Sequence, residues 1–145
     1  MAITSAICTS FKQELLVGTQ NFTATTGNTF KIALFTSSAT LGASTAAFAT
    51  TNEITNSSGT AYTSGGATLT NITPTTDSTT AVVDFTDVSF TSASFTANGA
   101  LIYNSSQSNK AVAVVAFGGD KTVSSGTFTI QFPTADATNA IIRLA

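Results

Sequence analysis

The stretch Val88-Ser89-Phe90-Thr91-Ser92-Ala93-Ser94-Phe95-Thr96-Ala97, followed by Asn98-Gly99 and Ala100-Leu101-Ile102-Tyr103, decides how the chain is to be read. Val88 and Phe90 alternate with hydroxyl residues and fall on one face of a strand, and an irregularity around Ser92 to Ser94 lets Phe95 enter the core. Asn-Gly between two apolar runs is the strongest short hairpin signal, because both residues accept the positive φ of a type I′ turn. The sequence therefore predicts a reversal at Asn98-Gly99. A polar tip, Asn104-Ser105-Ser106-Gln107-Ser108-Asn109, leads to Lys110-Ala111-Val112-Ala113-Val114-Val115-Ala116-Phe117. That apolar run suits a strand buried on both faces, at the centre of a sheet.

Downstream, Gly118-Gly119-Asp120-Lys121 and Ser124-Ser125-Gly126 read as turns, and Thr127 to Phe132 alternates Phe128, Ile130 and Phe132 inward until Pro133 stops it. Ala140 to Leu144 reads as a final strand. Upstream, Thr29 to Phe35 alternates Phe30, Ile32 and Leu34 with Lys31, Ala33 and Phe35. A strand from Thr68 to Thr73 is halted by Pro74, and Thr80 to Phe85 forms the next. About eight strands at this spacing predict one mainly-β domain over residues 1–145, an antiparallel β-sandwich or jelly roll.

The N-terminal segment departs from this pattern. Ile3, Ile7, Phe11 and Leu15 recur every four residues, Leu16 widens the stripe, and Lys12, Gln13 and Glu14 supply a polar face. This predicts an amphipathic helix over 3–17, capped by Thr4 or Ser5 and ended by Gly18. The helix either packs on its own sheet or serves as an arm on a neighbouring subunit. Residues 36–66 are Ser, Thr, Ala, Asn and Gly with scattered Leu41, Phe48, Ile54 and Tyr62. They read as a long loop, with a short strand near Phe48 to Ile54, that is either an exposed excursion for contacts or a cover pinned by Phe48 and Tyr62. Phe11, Leu15, Phe48 and Tyr62 are the candidate contact residues.

Composition narrows function by exclusion. The 145 residues include no His, no Trp, one Cys and 8% charged residues. Without His there is no imidazole relay, imidazole metal ligand or proton switch near neutrality, so no enzyme, cofactor or metal is expected. Five scattered cations against seven acids, with a pI near 4.6, argue against nucleic acid. The longest apolar run is too short for a membrane span, and Met1 to Cys8 lacks a basic leader, so a protein made in the cytoplasm without a signal peptide is expected. Cys8 follows a bulky Ile7, unlike a lipid-modified cysteine, and reads as a buried thiol. With 11 Phe and a mean hydropathy of +0.28 the chain folds, its Thr and Ser coating the outer faces of strands.

Weak site signals have simple explanations. Asp84, Asp87, Asp120 and Asp136 lack the regular spacing of a Ca²⁺ loop, and Asp at a turn usually satisfies local amides. Sequons begin at Asn21, Asn56, Asn71 and Asn104, about what chance yields in so Ser/Thr-rich a chain. Tyr62 and Tyr103 are the aromatic residues considered for stacking on sugars, which would make a carbohydrate-binding β-sandwich.

Several phrases together resemble small structural proteins of tailed bacteriophages: Ser10-Phe11-Lys12-Gln13-Glu14-Leu15-Leu16 with Asn21-Phe22, Gly27-Asn28-Thr29-Phe30-Lys31-Ile32-Ala33-Leu34-Phe35-Thr36, and Gly99-Ala100-Leu101-Ile102-Tyr103-Asn104. Gly118-Gly119-Asp120 and Phe128-Thr129-Ile130-Gln131-Phe132-Pro133 belong to the same pattern. The resemblance is greatest to capsid decoration or cement proteins. It implies a β-sandwich on the outside of a virion, often a trimer, with the major capsid protein as partner. A tail, neck or fibre component is the nearest alternative.

Overall fold

One very long hairpin organises the molecule. The computed structural model describes residues 2–57 and 59–145; Met1 and Ser58, the third residue of the Asn56 sequon, lie outside them. The chain runs β1 (Ala6–Ile7), α1 (Thr9–Leu16), β2 (Phe30–Phe35), β3 (Ala67–Thr68), β4 (Asn71–Asp77), β5 (Thr80–Phe85), β6 (Val88–Asn104), β7 (Lys110–Ile130) and β8 (Ile142–Leu144). The fold is mainly β, with one N-terminal helix and two antiparallel sheets ordered β1-β7-β6-β2-β3 and β4-β5-β8.

The reversal predicted at Asn98-Gly99 does not occur. β6 runs through it for 17 residues and the chain turns at the polar tip, where Gln107 N–H donates to the Asn104 carbonyl (3.3 Å) and Ser108 and Asn109 adopt φ of 54° and 58°. Pairing with β2, from Phe30 opposite Asn104 to Phe35 opposite Gly99, holds β6 extended and overrides the local turn preference. Gly99 serves close approach instead: a Cβ there would lie 2.6 Å from Ile3 Cγ2 and 2.8 Å from the Val115 carbonyl oxygen.

Two other predicted turns are irregularities inside β7, which spans 21 residues. The register passes from Ala97 opposite Lys121 to Gly99 opposite Ala116, so Asn98 alone faces residues 117–120. Asn98 Nδ2 bridges this bulge to Asp120 Oδ1 at 2.8 Å. At Ser124 to Gly126 the strand bulges again, next to the predicted irregularity at Ser92 to Ser94. Pro74 likewise lies within β4 rather than ending a strand; β4 is an edge strand and its register shifts between Ile72 and Thr75, where a missing N–H is tolerated.

The predicted helix is shorter than expected and is preceded by a short strand. Ala6 and Ile7 pair with Val114 and Ala113 of β7, Cys8 N–H donates to the Val112 carbonyl, and only Thr9–Leu16 is helical. Thr4 and Ser5 do not cap it. The helix begins at Cys8, with no side-chain cap, and Thr9 N–H donates to the Ala43 carbonyl (2.8 Å). The expected end at Gly18 is present as a Schellman motif: Gly18 N–H donates to the Leu15 carbonyl, Thr19 N–H donates to the Glu14 carbonyl, and Gly18 sits at φ 76°.

In residues 36–66 the strand expected near Phe48 to Ile54 is absent, replaced by single bridges at Ala47 and Glu53. The loop covers the five-stranded sheet. Phe48 stacks on Tyr103 (4.5 Å), and the Tyr62 hydroxyl accepts from Leu34 N–H (2.9 Å) while donating to Glu53 Oε1 (2.8 Å). Glu53 also accepts from Ser64 Oγ and Gly65 N–H, so a buried carboxylate with three donors fastens loop to strand.

The core joins both sheets. Phe22 stacks on Phe30 (4.3 Å), and Phe30 meets Phe85 of β5 (5.7 Å). Ile32, Leu34, Leu101, Ile102 and Val112 complete it at 0% exposure, each burial stabilising the fold by about 1.5–3 kcal/mol.

Candidate interaction surface

The outer surface of the helix is where the predicted and observed faces diverge. Position 14 turns inward. Glu14, assigned to the polar face, is 5% exposed, accepts from Gln20 Nε2 and pairs with Lys110 Nζ at 3.6 Å. Asn104 extends the network by donating to Gln20 Oε1 (2.8 Å), which ties the helix to the hairpin tip. With Phe11 and Glu14 facing the sheet, Leu16 is left 88% exposed and Val17 63% exposed.

Leu16 lines a groove of about 610 Å³ between α1 and β8, whose walls include Ile7, Leu15, Ile142 and Leu144. Leu144 is 58% exposed. Three of the four exposed large apolar residues among those described thus stand on or beside one groove, and the fourth is Ile72. Lys12 and Arg143 are its charged lining residues.

The groove ends a longer belt. It shares Ala6 and Ile7 with a hollow of about 430 Å³ beside β1, floored by Val114, Phe132 and Ile141. That hollow shares Val115 and Ile130 with a third, also about 430 Å³, reaching Phe117 and Phe128 of β7. Lys12, Lys121 and Arg143 line the belt and no Asp or Glu does, in a chain whose formal charge is −2. A concave apolar surface with a basic rim has the character of a surface on which macromolecular contacts are made.

The four candidate contact residues separate. Leu15 and Phe11 both line the groove. Phe11 is 0% exposed and packs edge-on against Phe22 (5.9 Å), and Tyr62, 1% exposed, stacks on Phe90. Phe48 is half-buried against Tyr103. Sequence reasoning missed Arg143 and Leu144, which reach the groove only through folding. Leu16, expected to widen the apolar stripe, instead stands outside it, because Leu15-Leu16-Val17 cannot all occupy one helix face.

Five titratable side chains, Cys8, Glu14, Glu53, Tyr62 and Tyr103, are buried. Burial, with a smaller contribution from the Glu14 charge, pushes the Cys8 thiol up to about 11. Burial and then Glu53 push Tyr103 up to about 12, and burial raises Tyr62 further. Neither tyrosine ring is presented to a sugar. Asp136 is held down at about 2, first by the Thr138 hydroxyl and then by backbone amides of Thr138 and Asn139. Of the other aspartates only Asp84 serves a local amide, that of Phe85, while Asp77 accepts from Ala137 N–H, Asp87 from Phe132 N–H and Asp120 from Asn98, all distant in sequence. Among the described residues no three His, Cys, Asp or Glu side chains group as metal ligands, and no helix is long and apolar enough to cross a membrane. Of the sequon asparagines, Asn104 is buried and Asn71 Nδ2 donates to the Asn28 carbonyl. No family model, curated protein or solved structure matches the chain.

Proposed function

We propose that the protein is a non-enzymatic virion subunit that decorates or cements the outer surface of a bacteriophage capsid, bound at junctions of the major capsid protein. The observation that carries this reading is the belt of three adjoining apolar hollows on a β-scaffold. A subunit of this kind needs contacts with its sisters and with the shell, and a belt from β7 to α1 offers room for both. Low surface charge favours such contacts by reducing the desolvation they cost. Binding only the assembled shell would stabilise it by mass action. The two sheets, sharing Phe22, Phe30 and Phe85, fit the sandwich or jelly-roll architecture that the resemblance implies.

Electron microscopy of particles of the encoding phage, with and without the protein, tests the assignment. The expected result is added density on the head at capsomer junctions, lost when Phe117→Asp is supplied in place of the natural chain. Density on the neck, tail or fibres would replace this reading with a tail component.

A further inference from the structure

A ring of polar side chains joins the helix to the hairpin tip. Asn104 and Lys110 lie directly opposite each other in the β6–β7 register, so their side chains stand on one face. Ser106 N–H donates to Asn104 Oδ1 (3.1 Å), which fixes this carboxamide with Nδ2 on Gln20 Oε1 (2.8 Å). Gln20 is thereby oriented with its own Nε2 on Glu14 Oε2, and the other oxygen of that carboxylate, Oε1, faces Lys110 Nζ at 3.6 Å. Glu14, Gln20 and Asn104 are all buried.

These contacts bring together the parts of an acyl transfer: an amine, a carboxamide, a carboxylate touching both the amine and the leaving nitrogen, and a donor on the carbonyl oxygen. We propose that Lys110 and Gln20 join in an intramolecular isopeptide bond, with Glu14 carrying the protons. Glu14 takes a proton from the Lys110 ammonium, the freed amine attacks Gln20 Cδ, and Asn104 Nδ2 stabilises the negative charge forming on Oε1. Glu14 then gives its proton to Nε2 and accepts a second from the attacking nitrogen. The Cδ–Nε2 bond breaks, and ammonia leaves with that second proton as ammonium. An alkylammonium and a carboxamide thus become a secondary amide and an ammonium ion, with no oxidant, reductant or further reactant. The Lys110 side chain is 42% exposed, which gives the released ammonium a path to solvent. The link would tie the segment after α1 to the hairpin tip as a disulfide would, in a chain whose single Cys cannot form one within the molecule.

Mass spectrometry of the purified full chain, folded and then denatured, provides the test. The wild type is expected about 17 Da below the mass of its sequence, with or without Met1, through loss of one ammonia. Its digest should contain a branched peptide joining Lys110 to Gln20. Lys110→Arg keeps a cation opposite Glu14 but removes the amine nucleophile, and Glu14→Gln keeps both reactants but removes the proton carrier. Each variant is expected at full mass, with circular dichroism confirming that it folds; should either fail to fold, the branched peptide of the wild type still decides. A wild type at full mass overturns the proposal, as does an ammonia loss that persists in folded Lys110→Arg or a branch that ends on a carboxamide other than Gln20.

Discussion

The two halves of the β6–β7 hairpin belong to the same pair of strands and have different fates. In the half near the tip, β2 flanks β6 and β1 flanks β7, and Ala100 to Asn104 and Ala111 to Val114 are buried on both faces. Beyond the bulge at Asn98, residues 88–97 and 121–130 form a ribbon whose Thr and Ser face outward while Phe90, Phe95 and Phe128 gather on the other face. Strand identity is common to both halves. What differs is the supply of neighbours, and the sequence follows it: unbroken apolar residues where both faces are covered, alternation where one is.

Breaking the covered half should cost most. Ile102→Ala removes a side chain of 0% exposure between β2 and β7 and is expected to lower unfolding stability by about 2–5 kcal/mol in urea titration. The next effect confined to this half is alkaline. Cys8 and Tyr103 remain protonated in the fold at pH values where the unfolded chain, with ordinary values of 9.0 and 10.0, has ionised. Their contribution is full below about pH 9 and lost as pH rises through about 11 and 12. Urea midpoints should therefore fall over that range, and Cys8→Ala should flatten the early part of the decline.

At the junction, Gly99→Ala places a methyl against Ile3 and the Val115 carbonyl and should cost about 1–3 kcal/mol. An unchanged midpoint would mean that the two halves meet less tightly than the geometry shows. In the ribbon, Thr96→Ala removes an exposed hydroxyl pair with Thr122 (2.8 Å) and should cost only about 0.2–1 kcal/mol. A loss equal to that of Ile102→Ala would erase the distinction between the halves.

The same contrast governs what the sequence reveals. Thr80 to Phe85 was legible to its ends, and Phe30 to Phe35 nearly so, because alternation and turn residues agree with the tertiary partners. Asn98-Gly99 misleads because its preference is local while β2 pairing is distant in sequence. Residues 3–7 mislead because Ile3 and Ile7 fit a helix period, yet the open edge of β7 recruits Ala6 and Ile7 as a strand. The eight expected and eight observed strands therefore differ: long β6 and β7 absorb expected turns, while the short β1 and β3 carry little period to read. The groove was half legible. Leu15 and Leu16 announce an apolar surface near the N-terminus, but Arg143 and Leu144 join it through pairing of β8 with β5.

The placement of the hairpin tip has a kinetic consequence. Residues 105–109 bring β6 and β7 together through a short loop, so zippering from that point requires little closure entropy for its first pairs. β1 and β8, drawn from opposite ends of the chain, have docking sites only after β7 and β5 are in place. The hairpin is therefore expected to nucleate the fold, with the terminal strands seated last. The α1–β8 groove, built from both of these segments, would be completed at the close of folding, so that newly made chains expose no finished groove until the rest of the fold is in place.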